Sequence, residues 1–85
     1  MRLKKGVLIQ KMGKSFVAFD NETSTLHEIN ETGYVIIEEI GKGKTVSQIA
    51  DKITRKYDIS KKEARGEIDD YRNLLRKKDL IVGKK

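Results

Sequence analysis

The spacing of apolar residues along the 85-residue chain changes once, near Asn30. Before that point the apolar stretches are short and rich in β-branched and aromatic residues. Val7 to Gln10 and Phe16 to Phe19 read as strands joined through Met12-Gly13-Lys14, where glycine permits a tight turn. The polar run Asp20 to Ser24 leads into a third strand, Thr25 to Asn30. This third strand is well placed to lie at a sheet edge.

After Asn30 the period becomes helical. Asn30 suits an N-cap, and Gly33, Ile36, Ile37 and Ile40 repeat at i, i+3, i+4 and i+7, with Gly41-Lys42-Gly43 closing the first helix. Thr45 and Gln48 have capping-box spacing ahead of the stripe Val46, Ile49, Ala50, Ile53 and Tyr57. Ser60 and Glu63 repeat the spacing before a longer third helix, predicted to run to about Lys78. Its inward face is Ala64, Ile68, Tyr71 and Leu75, with Leu74 beside it. Gly66 falls inside this helix and marks either close packing or, as we read it, a tolerated defect. Leu80-Ile81-Val82 is a short apolar tail that either caps the core or adds a strand, and the final Gly-Lys-Lys is expected to be exposed. The expected architecture is α+β, a three-stranded antiparallel sheet followed by three helices, in one domain spanning residues 1–85.

Composition narrows the chemistry open to such a domain. There is no cysteine, which removes thiolate zinc sites, iron–sulfur clusters, disulfides and thiol nucleophiles. A single histidine, His27, rules out a His-pair metal site. The N-terminal run Gly6-Val7-Leu8-Ile9 is too short for a signal-peptide core, and no apolar stretch reaches the roughly 18 residues of a membrane span. The expectation is a cytoplasmic chain that needs no membrane. Its net charge of +6 favours acidic partners, although a mixed-sign surface of this kind also serves solubility alone.

Candidate catalytic groups fail on geometry. Asp69-Asp70 and Glu38-Glu39 are adjacent helix residues about 100° apart, so neither pair can share a substrate as a catalytic dyad does. The Gly41-Lys42-Gly43-Lys44-Thr45 stretch has one residue between its glycines where a phosphate loop needs four, and a helix rather than a strand precedes it. It reads as a turn with an N-cap. His27 alternates with Leu26 and Glu28 along the third strand, and its best functional prospect is contact with a bound peptide. In the third helix Lys61, Arg65, Arg72 and Arg76 lie within about 60° of one another, with Asp69 beside them. Guanidinium groups in such a stripe suit carboxylate or phosphate.

From Leu26 to Ile81 the chain resembles the PqqD-like family, also called RiPP recognition elements. The resemblance lies in Ile29-Asn30 ending a strand, Gly41 to Val46 as the turn into a helix, then Ile49, Ile53 and Tyr57, and finally Leu75 and Leu80-Ile81. Ile37 stands where the family often has tryptophan, and Glu39 where an apolar residue is frequent. The resemblance implies a winged-helix-like domain without catalytic activity or cofactor. Such a domain holds the leader segment of a ribosomally made precursor peptide as an added strand between the third strand and third helix. It then presents that precursor to a separate maturation enzyme, either a leader protease with a cyclase, as in lasso-peptide pathways, or a radical-SAM enzyme.

On that reading Thr25, Leu26, His27, Glu28, Ile29 and Asn30 form the receiving edge, and Arg65, Ile68, Asp69, Arg72 and Arg76 the opposite wall. Periodicity does not fix which flank of the third helix faces the strand. The chain is expected to be a monomer or weak dimer. A winged-helix DNA-binding regulator is the alternative, and the carboxylates Glu63, Glu67, Asp69 and Asp70 in the would-be recognition helix argue against it.

Overall fold

The computed structural model describes residues 2–82. In chain order it contains β1 (Arg2–Leu3), β2 (Val7–Met12), β3 (Ser15–Asp20), β4 (Thr25–Ile29), α1 (Glu31–Gly41), α2 (Val46–Tyr57), α3 (Lys61–Lys77) and β5 (Ile81–Val82). The mixed α+β architecture is the expected one. The Gly-Lys-Lys end lies outside the described residues.

The sheet β2-β3-β4 is an antiparallel meander. Gly13, at φ +62°, opens the two-residue turn that joins Met12 to Ser15, and the first two strands run longer than their apolar runs suggest. Register alternates the two faces of the sheet. The rows Ile9–Ala18–His27 and Lys11–Phe16–Ile29 face the helices, while Leu8–Phe19–Leu26 and Gln10–Val17–Glu28 face away from them. The core is built mainly on the inner side, where Val7 and Ala18 meet Ile36, Ile37 and Ile40 of α1, Ile49 and Ile53 of α2, and Ala64, Ile68 and Leu75 of α3.

Each helix begins where the sequence places a cap. The Gly33 amide donates to Asn30 Oδ1 at 2.8 Å, and Thr45 with Gln48 makes both bonds of a capping box at 3.1 and 2.9 Å. Ser60 caps α3 by accepting from the Glu63 amide at 3.1 Å. There the Glu63 carboxylate accepts from the Ser60 hydroxyl at 3.3 Å.

The apolar tail does become a strand. Leu3 pairs with Ile81 and Arg2 with Val82 in a two-strand ribbon that the N-terminal residues gave no periodic signal for. Lys4 fastens this ribbon to the main sheet. Its side chain is only 14% exposed, and its ammonium group reaches Asp20 Oδ2 and Asp79 Oδ2 at 3.1 Å each and Glu22 Oε1 at 3.4 Å. Burial pushes the Asp20 carboxyl up, but hydrogen bonds from Lys4 and from the Glu22 amide outweigh it and hold the group below the usual carboxylate range.

The two family positions that differ are both accommodated. Ile37 is fully buried in the core without a larger ring. Glu39 is 5% exposed, and Lys52 at 3.1 Å and Lys42 at 3.3 Å meet its carboxylate. Burial raises its pKa, yet these two lysines bring it below the ordinary value, so it stays ionised.

Two outcomes follow. A Cβ at Gly66 would meet open space, so Gly66→Ala is expected to raise stability by about 0.5–1 kcal/mol, read as a higher urea midpoint at unchanged slope. Because the folded-state pKa of Asp20 is depressed, its contribution is present above about pH 4 and is lost as pH falls through the folded pKa. Lys4→Met should therefore lower the denaturation midpoint at pH 7, with the gap to the parent protein narrowing below about pH 4.

Candidate functional site

The meander ends at β4, so the outer edge of Thr25–Ile29 pairs with no strand among the described residues. Its backbone groups on that side are unpaired and ready for another chain. Side chains alternate about this edge. His27 and Ile29 point inward and are half-buried, while Leu26, 60% exposed, and Glu28 stand on the outer face.

α3 is held beside this edge at two places. At the Asn30 end, the first turn of α1 holds Gly33, whose missing side chain leaves room for the Tyr71 ring. A Cβ built there would lie 2.6 Å from Tyr71 Cε1. Burial raises the Tyr71 phenol pKa, the nearby Asn30 side chain opposes the shift, and the Glu67 charge adds to it. At the Thr25 end, Asp20 pairs with Thr25 across the sheet, and Lys4 joins Asp20 to Asp79 just past the α3 C-terminus. β4 thus runs alongside the C-terminal half of α3, from Tyr71 toward Asp79.

These contacts fix which flank of α3 meets the strand. Ile68 and Leu75 point into the core. On a helical projection Tyr71, Leu74 and Lys78 fall on one side of that line, toward Asn30 and Gly33. Lys61, Arg65, Asp69, Arg72 and Arg76 fall on the other. Lys61 Nζ lies 2.9 Å from Asp51 Oδ1 of α2, and the Arg55 and Arg65 charges also help lower the Asp51 pKa. The arginine flank therefore faces α2.

Of the residues expected to line one groove, Thr25 to Asn30 come together along the edge. Ile68 is fully buried and supports α3 from behind, because its inward spacing places it in the core. Arg65, Asp69, Arg72 and Arg76 stay together as a stripe on the flank of α3 opposite Tyr71 and Leu74, with Arg72 Nη2 donating to Asp69 Oδ1 at 3.0 Å. Sequence reasoning passed over Tyr71 as core and Leu74 as its neighbour. The signal available was Leu74 itself, an apolar residue at the margin of the stripe that remains 41% exposed.

Residues 15–81 match the family described as Coenzyme PQQ synthesis protein D (PqqD). The chain belongs to the PqqD family. No curated protein compared with this PqqD-family chain matches it. Two solved structures share its fold. One is TbiB1 in complex with the TbiA(beta) leader peptide, at TM-score 0.87 and 21% identity, covering 100% of this chain and 99% of that one. The other is lasso peptide synthetase B1 complexed with the leader peptide, at TM-score 0.84 and 17% identity, covering 96% of each chain.

Substituting Gly33 by alanine should force the Tyr71 ring aside and cost about 1–3 kcal/mol. A double-mutant cycle with Tyr71→Leu checks the contact: the combined loss should be smaller than the sum of the two single losses in urea denaturation.

Proposed function

We propose that this protein binds the leader segment of a ribosomally made precursor peptide by strand addition at the outer edge of β4. The observation that carries the reading is an unpaired edge strand held beside a helix whose facing flank bears the exposed apolar side chain Leu74. Backbone hydrogen bonds to Thr25–Ile29 supply much of the affinity in this mode, and side-chain pockets supply selectivity. Inward-pointing leader residues meet His27, Ile29, Tyr71 and Leu74, while outward ones extend the sheet face beside Leu26 and Glu28. Membership of the PqqD family and the leader-bound state of both similar structures support the assignment.

In this reading the protein performs no reaction. It takes up the leader without a cofactor and offers the rest of the precursor to a separate maturation enzyme. One similar structure is a lasso peptide synthetase B1, and we take lasso-type maturation, with its own leader protease and cyclase, over delivery to a radical-SAM enzyme. No helix among the described residues is long and apolar enough to cross a membrane, and the work assigned here belongs to the cytoplasm. Without peptide the same edge is free to meet a second copy, giving a monomer in equilibrium with a weak dimer.

Fluorescence anisotropy with labelled leader peptides from neighbouring precursor genes tests the proposal. Binding should saturate and survive moderate salt, and precursor incubated with this protein alone should keep its mass. Leu74→Asp should weaken binding at least tenfold, about 1.4 kcal/mol, with the circular dichroism spectrum unchanged. Failure of every leader, with salt-sensitive binding of a DNA duplex instead, would overturn it.

A further inference from the structure

The arginine stripe of α3 is left without a task by the groove beside β4. It borders a cleft of about 320 Å³ lined by Asp51, Thr54, Arg55 and Lys61. Two carboxylates sit in this region, and each already holds one cation. Asp51 pairs with Lys61 at 2.9 Å and Asp69 with Arg72 at 3.0 Å. Arg55, Arg65 and Arg76 have no carboxylate within ion-pair distance among the described residues. Three guanidinium groups on one side of the molecule therefore have no contact ion pair among the described residues, although the charges of Arg55 and Arg65 are felt by Asp51.

Arg72 is also incompletely satisfied. Its side chain is 21% exposed, and Asp69 engages only Nη2. The Nε–H is buried and has no acceptor, as is the Thr54 hydroxyl oxygen on the same side. A buried donor left unpaired costs about 1–3 kcal/mol. Nε and Nη2 together form the side of the guanidinium that grips a carboxylate through two parallel bonds. Asp69 makes half of that fork, and an incoming carboxylate that displaces it would make both halves.

We propose that the α2–α3 flank, centred on Arg65 and Arg72 and extended by Arg55 and Arg76, is a docking surface for an acidic segment of a partner protein. It is separate from the β4 groove, so a protein could be engaged here while that edge is filled. A nucleic-acid backbone fits the flank less well. Asp51 and Asp69 lie within the stripe, where they would face a continuous line of phosphates. Carboxylates on a folded partner or flexible segment are discrete and can be spaced to avoid them.

The test is a titration of the full ¹⁵N-labelled chain with an acetylated glutamate-rich decapeptide, and separately with a random DNA duplex of equal charge. Backbone amides and arginine Nε–H signals are followed at two salt concentrations. The peptide should cause saturable shifts at Arg65, Arg72 and Arg76, with Arg72 Nε–H moving most, and none along Thr25–Ile29. Arg65→Glu and Arg72→Glu should each lower peptide affinity at least tenfold while the remaining amide spectrum is preserved. Leader anisotropy measured on the same variants should be unchanged, which separates this surface from the groove. Small shifts spread evenly over all lysines and arginines, or tighter saturable binding of the duplex at the same residues, would overturn the proposal.

Discussion

The groove depends on a side chain that is absent. Gly33 lies in the first turn of α1, just after β4, and only without a Cβ can the Tyr71 ring settle on the helix backbone. That contact fixes both the position of α3 and its rotation about its own axis. Lys4 does the complementary work at the far end, joining Asp20 of the sheet to Asp79 just past the end of α3. Between these two anchors the edge of β4 remains unpaired beside a helical wall. Edge strands are ordinarily covered or blunted because they recruit other chains. Here the exposed edge is kept, and the fold surrounds it with a defined set of side chains.

Rotation of α3 also divides its surface into two working sides. Ile68 and Leu75 mark the buried line, with Tyr71, Leu74 and Lys78 to one side and the arginines to the other. The side facing β4 carries the Tyr71 ring and the exposed Leu74, suited to alternate residues of an extended peptide. The side facing α2 is rich in guanidinium and suited to carboxylates. On the proposed reading a single helix serves a peptide and a second partner at once, because the two sides are separated by the thickness of the helix itself.

Much of this was legible before any coordinates. The change of period at Asn30, the caps at Asn30, Thr45 and Ser60, and the meander all follow from local rules that depend on near neighbours in sequence. The edge position of β4 was legible for the same reason. What stayed hidden required knowing how helices rotate against each other. Spacing gave a basic stripe on α3 but not the direction it faces, and that direction is set by Gly33 and Tyr71, 38 positions apart. The β1–β5 ribbon was equally hidden on its N-terminal side. Two residues cannot show a period, and Lys4 reads as an ordinary surface lysine until Asp20 and Asp79 converge on it.

The central claim is that a leader peptide becomes the fourth strand of the meander, and amide hydrogen exchange measures it most directly. With saturating leader, alternate amides of Thr25–Ile29 should slow strongly, because those N–H groups pass from water to peptide carbonyls. Protection appearing along α3 at Arg65 to Arg76 with β4 unchanged would contradict the account, and would place the leader on the arginine flank.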